Sequence, residues 1–133
     1  MMTRCKKSNN PLVICIDAFE RVVTWEPMNL QLEYPCKFLQ CEWIEMFTIQ
    51  KMPTWRMFLD ENASISDKPK TLFAVDGKVF FNRAIIAQWC HETGDWENIE
   101  TTVERIMQRI DWLDQKQEGL LSQIYSNYRV TRP

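Results

Sequence analysis

Residues 72–94, LFAVDGKVFFNRAIIAQWCHETG, decide how the chain is to be folded. The first ten are two apolar runs joined by Asp76-Gly77, a dipeptide that supplies the positive φ angles of a two-residue type I′ turn. A β-hairpin over 72–81 is therefore expected. With Asn82 as N-cap and Gly94 as the C′ residue, 83–93 becomes a helix on which Ile85, Ile86, Trp89 and Cys90 share a face.

Downstream, Asp95 reads as the cap of a second helix, with Glu97 favourably placed near the positive end of its dipole. Apolar residues then recur in steps of three and four. Trp96, Val103, Ile110, Gln117 and Ile124 take heptad a positions, Ile99, Ile106, Leu113 and Leu120 take d, and Met107, Leu121 and Tyr128 take e. This stripe is wider than a coiled-coil seam and suits a helix lying on the protein's own sheet. Two lengths are open. A helix over 95–128 would be about 50 Å long, would overhang a domain roughly 36 Å across, and would need a second subunit to cover Leu120, Leu121 and Ile124. A helix over 95–118, ended by Gly119, fits the domain and lets the remainder fold back. Gln117 is a register-setting polar layer in the first version and part of a helix end in the second.

On such a helix Trp112 would stand about 200° around from Ile110, off the apolar stripe. It either covers a second flank of the domain or contacts another chain, as exposed Trp does at interface hot spots. The expected partner or oligomer contacts are thus Trp112, Ile110, Leu113, Leu120, Leu121 and Ile124, with a homodimer through the C-terminal helix as one outcome.

Upstream of the hairpin the pattern is mostly extended. LVICI (12–16) reads as a strand buried on both faces, RVVTW (21–25) as a second, and TWRMFL (54–59) as another, while 28–35 is ambiguous between a turn of helix and an extended link. In FLQCEWIEMFTI (38–49) the odd positions Leu39, Cys41, Trp43, Phe47 and Ile49 favour period two, hence one long strand or two. Residues 60–70 are polar and read as a surface loop. The expected class is α+β: a mainly antiparallel sheet from about 12–81, with two C-terminal helices (83–93, and 95–118 or 95–128) packed on it. Residues 1–10 are expected to be a flexible basic arm, 11–128 a single domain, and 129–133 a basic tail.

Composition narrows the function classes. In 133 residues there are six Trp, seven Phe and seven Met, so aromatic surfaces are expected either in the fold or in its contacts. Five of the 16 basic residues (Arg4, Lys6, Lys7, Arg129, Arg132) lie at the ends, which leaves 11 against 18 acidic residues over 8–128, a net of -7. An acidic body argues against binding a nucleic-acid duplex, where many phosphates must be neutralised. The chain shows no run of 18 apolar residues and no signal-peptide pattern, so a cytoplasmic protein is expected, with no membrane partner. In that compartment five Cys (Cys5, Cys15, Cys36, Cys41, Cys90) read as buried or idle thiols.

No catalytic signature stands out. The lone His91 adjoins Cys90, and neighbours on a helix point about 100° apart, so they do not form a nucleophile and base pair. Cys36, Cys41, Cys90 and His91 have poor spacing for zinc, and neither a metal nor a cofactor is expected. The carboxylate pairs Asp60-Glu61 and Glu42/Glu45 read as solvated charges. Gly94 between two helices has a helix-turn-helix look, but the second would begin DWENIE, acidic where phosphates must be approached. Trp25, Trp43 and Trp55 are candidates to stack a planar ligand such as a nucleotide, which sustains a small-ligand reading beside the leading one. The leading expectation is a non-catalytic regulator or inhibitor, of immunity or anti-defence type, that binds another protein.

Overall fold

A computed structural model describes residues 10–49, 52–63 and 70–113. Nine strands and two short helices follow in the order β1 (Leu12–Asp17), β2 (Val22–Pro27), α1 (Glu33–Leu39), β3 (Ile44–Thr48), β4 (Trp55–Asp60), β5 (Leu72–Val75), β6 (Lys78–Phe81), β7 (Arg83–Cys90), β8 (Asp95–Glu97), α2 (Val103–Met107) and β9 (Ile110–Leu113). They form a six-stranded sheet of order β2-β1-β7-β4-β3, with β8 added to β7, and a three-stranded sheet of order β6-β5-β9. All pairings are antiparallel.

Alternation along the central strands sorts the core into two layers, because successive strand side chains point to opposite faces. Ile14, Ile16, Met57, Ala84 and Ile86 face the small sheet and meet Phe73, Val75, Phe80, Ile99, Ile106 and Ile110. On the other face Val13, Cys15, Phe58, Ile85 and Ala87 meet Leu39 of α1, with Met28, Leu30, Phe38 and Trp96 packed around them. The large sheet is thus covered on both sides. Its middle strands have to be apolar at consecutive positions, as LVICI was read to be.

The hairpin over 72–81 forms as its sequence dictates: Leu72 pairs with Phe81 and Val75 with Lys78, and both turn residues take positive φ, 52° at Asp76 and 84° at Gly77. An ion pair then clamps the turn to the α2–β9 junction. Arg109 Nε donates to Asp76 Oδ1 at 3.1 Å, Arg109 Nη2 bridges the other oxygen, and Asp76 N donates to Arg109 O at 3.2 Å. The hydrogen bonds to Asp76 raise the Arg109 pKa further, against a smaller opposing effect of burial.

The expected helix over 83–93 is instead β7, the strand that joins the sheet together. It pairs with β1, β4 and β8. The physical reason is that a strand covered on both faces loses the two-residue alternation, so AIIA carries no period to separate it from a buried helix. Asn82 is not a helix cap. It adopts φ 64°, and its Oδ1 accepts from Thr71 N at 2.8 Å, bracing the corner where the chain crosses from one sheet to the other. Gly94 does punctuate, but as the φ 67° residue closing the β7–β8 turn, with its N–H on Cys90 O at 2.9 Å.

The second expected helix, from 95 onward, is likewise overturned within the described residues. Asp95–Glu97 is β8, only Val103–Met107 is helical, and Ile110–Leu113 is β9, paired with β5. Thr102 caps the single short helix by accepting from Arg105 N at 3.2 Å. The three-and-four spacing still marked inward residues: Ile99, Ile106 and Ile110 are all buried in one layer. What it misread was the backbone carrying them, since a strand, a turn of helix and a loop can each turn an apolar residue inward at similar intervals. Trp96 shows the difference, because it packs in the opposite layer from Ile99. The question of a break at Gly119 lies outside the described residues, as do both basic ends.

The ambiguous stretch 28–35 runs into α1, which continues to Leu39 and so takes the first two residues of the expected strand. Pro35 sits in its first turn, where the missing N–H costs nothing, and Gln40 ends it in the left-handed region at φ 56°. The expected strand over 38–49 accordingly begins only at Ile44.

Candidate interaction surface

The structure disperses the expected contact residues. Ile110 is buried, and Trp112, opposite Phe73 in the β5–β9 register, holds its ring 6.3 Å from that phenyl at a tilt of 53° and packs on the core. Leu113 pairs with Leu72 at the edge of the small sheet. None of the three lies on a helical seam, and Trp112 covers a flank of the core while staying partly exposed. Leu120, Leu121 and Ile124 lie outside the described residues.

The three candidate stacking tryptophans do not share a pocket either. Trp55 is 4% exposed and donates its Nε1–H to Gln88 Oε1 at 3.2 Å, so it is a core residue. Trp25 and Trp43 are exposed, but Trp25 is on β2 and Trp43 just precedes β3. These strands end the row at opposite sides, about 19 Å apart at ordinary strand spacing. An aromatic clamp on a planar ligand is therefore not assembled from them.

A more coherent surface is built by α1 and its flanks. Pro35 and Leu39 point inward and anchor the helix on the sheet, which turns Leu32 and Tyr34 outward, 59% and 45% exposed. Two open depressions flank the helix and share Lys37 on their rims. One, of about 440 Å³, is lined by Asn10, Pro27, Met28, Asn29, Tyr34 and Phe38 as well as Lys37. The other, of about 590 Å³, lies at the helix C-terminus, where Cys36, Gln40, Cys41, Glu42, Asp60 and Asn62 complete the wall. Asp60 is held in place by accepting from Asn62 N at 2.9 Å. The surface combines exposed apolar groups, one ammonium and several carboxylates.

Nothing in the sequence flagged this surface, because Leu32 and Tyr34 have no special neighbours. The signal that was present is the inward spacing of Pro35 and Leu39, which only acquires a period once α1 is known to be helical.

The cysteines separate into different environments. Cys36 and Cys41 are thiols near the second depression, whereas Cys90 is disulfide-bonded, which departs from the expectation of idle thiols, and His91 stands on the exposed β7–β8 turn. Cys15 is a thiol buried in β1 beneath α1. Burial, and then the Glu26 carboxylate, push its pKa from 9.0 up to about 12. The folded thiol thus keeps its proton over a range in which the unfolded thiol loses it, so unfolding releases a proton and stability falls as pH rises from about 9 toward about 12. The urea midpoint is expected to decline between pH 8.5 and 10.5, and less so in Cys15→Ala. Equal declines in the two proteins would show that another group is responsible.

Among the described residues no helix is long and apolar enough to cross a membrane. The chain matches no known protein-family model, no curated protein and no solved structure.

Proposed function

We propose that the protein is a non-catalytic regulator or inhibitor that binds a basic region of another protein through the α1 surface. The observation that carries this reading is exposed Tyr34 on the wall of one depression, with Leu32 exposed just before α1, and Glu42 and Asp60 on the wall of the other, the two depressions meeting at Lys37. Aromatic side chains set beside a depression are the usual anchors of protein interfaces, and the surrounding carboxylates select a cationic partner. The acidic body of the chain, 18 acidic against 11 basic residues over 8–128, acts in the same direction by steering positively charged surfaces toward it.

The test compares the full chain with Tyr34→Ala and Leu32→Ser, both exposed positions at which folding is retained. A stoichiometric partner of net positive charge is expected, bound at least about tenfold more weakly by Tyr34→Ala and progressively more weakly as salt is raised. A partner held equally well by all three proteins, or held independently of salt, would place the interface elsewhere.

A further inference from the structure

At the C-terminus of α1 the chain folds back through the left-handed residue Gln40, and Cys41 N donates to Cys36 O at 3.0 Å. This six-residue closure is the Schellman arrangement, in which the side chains of the first and last residues normally meet as an apolar pair. Here both are thiols. With standard bond lengths the hydrogen bond holds the two Cα atoms no more than about 6.9 Å apart, inside the limit of about 7 Å beyond which two cysteines cannot be bridged. Both side chains also line the same open depression of about 590 Å³, so a small molecule can reach either sulfur. The Cys36 thiol donates to Glu42 O at 3.8 Å, in the segment between α1 and β3.

We infer that Cys36 and Cys41 form a reversible dithiol–disulfide couple, oxidised through exchange with a small-molecule disulfide of the glutathione class. One cysteine thiolate attacks a sulfur of oxidised glutathione, breaking its S–S bond, forming a protein–glutathione mixed disulfide and releasing one glutathione thiolate. The second cysteine, as thiolate, attacks the protein sulfur of that mixed disulfide, forming the Cys36–Cys41 bond and releasing the second glutathione thiolate. The two protons lost from the protein thiols end on the two glutathione thiols, so the protein is oxidised by two electrons and the glutathione disulfide reduced by two. Neither remaining described cysteine competes. Cys15 is buried in β1 and Cys90 already has a disulfide. The closed loop has six residues, and its restriction of the unfolded chain raises the melting temperature by about 8 °C.

The sequence makes the assignment easy to read, because Lys37 separates the two cysteines. Trypsin cleaves after Arg21, Lys37 and Lys51, so 22–37 and 38–51 leave the protein as separate peptides unless a disulfide joins them. The full chain is incubated under native conditions with oxidised glutathione, quenched by alkylation and digested without reduction. The expected product is 22–37 linked to 38–51, separated again by a thiol reductant, with the oxidised protein melting higher than the reduced one. Cys36→Ser, lacking the second thiol, is expected to stop at a mixed disulfide on Cys41, and Cys41→Ser at one on Cys36. Stable glutathione adducts on both cysteines of the unsubstituted chain, with no linked peptide, would overturn the couple. So would a linked peptide that forms equally in denaturant, because the folded cap would then contribute nothing to the pairing.

Discussion

Phe73→Ala is expected to destabilise the protein by about 3–5 kcal/mol, lowering the melting temperature by roughly 10 °C or more. Phe73 has no exposed surface and is the ring through which the small sheet is fixed to the large one. Its centroid lies 5.7 Å from that of Phe80 on the neighbouring strand and 6.3 Å from that of Trp112 on the other side. Truncation removes the transfer energy of a phenyl group and leaves a void that two strands with fixed register cannot close. Met107→Ala, at a half-exposed position on α2, serves as the comparison and is expected to cost less than about 1 kcal/mol. A Phe73→Ala melting temperature within a few degrees of the parent would show that the layer repacks.

The second large effect is expected at Gln88, one of two buried polar residues in the described core. Its Oε1 accepts from Trp55 Nε1 at 3.2 Å and from Glu100 N at 2.9 Å, while its Nε2 lies 3.4 Å from Glu100 Oε1. One amide therefore ties β4, β7 and the segment after β8 together. Gln88→Met keeps length and volume but leaves the indole N–H and the Glu100 N–H without their acceptor. Each deserted donor costs about 1–3 kcal/mol, so a loss of about 2–4 kcal/mol is expected from urea unfolding. Gln88→Glu is the complementary variant: it restores the acceptor but sets a third carboxylate beside Glu97 and Glu100, and is expected to recover stability only as pH is lowered. A Gln88→Met protein as stable as the parent would mean that water replaces the amide.

Local chemistry was legible in the sequence wherever it determined the backbone by itself. Asp76-Gly77 can close a tight hairpin with little alternative, and LVICI, RVVTW and TWRMFL each hold a strand, at Leu12–Asp17, Val22–Pro27 and Trp55–Asp60. Inward direction was legible too, at Ile99, Ile106 and Ile110, even though the helix inferred to carry them is absent among the described residues. β7 was not legible because position in a sheet is non-local: Ala84 through Ala87 are apolar on both faces since the small sheet covers one and α1 the other, and α1 lies more than forty residues earlier in sequence. α1 was hidden for the opposite reason. It spans seven residues, begins after Leu32 with no capping side chain, and contains a proline, so both its length and its signals fall below what periodicity can resolve. The candidate surface inherits that gap, because the outward direction of Tyr34 follows from the helix. The Cys36–Cys41 relation inherits it as well, because two cysteines five residues apart adjoin only where a helix cap returns the chain upon itself.

The position of β7 also sets the order in which the chain can assemble. β1 finds its second neighbour only at residues 83–86, with Ile14 opposite Ile86, and β4 finds its own at 85–88. Until that segment is available, β1–β2 and β3–β4 are two separate hairpins, each marginal by itself in water. During synthesis the large sheet therefore cannot close before residues 83–88 have been made, and closure then requires bringing together residues some 70 positions apart. Folding is expected to be slow for a chain of this size and to start from β7 and its partners, which makes the nascent β1 edge, Leu12–Asp17, the segment most exposed to off-pathway pairing in that interval.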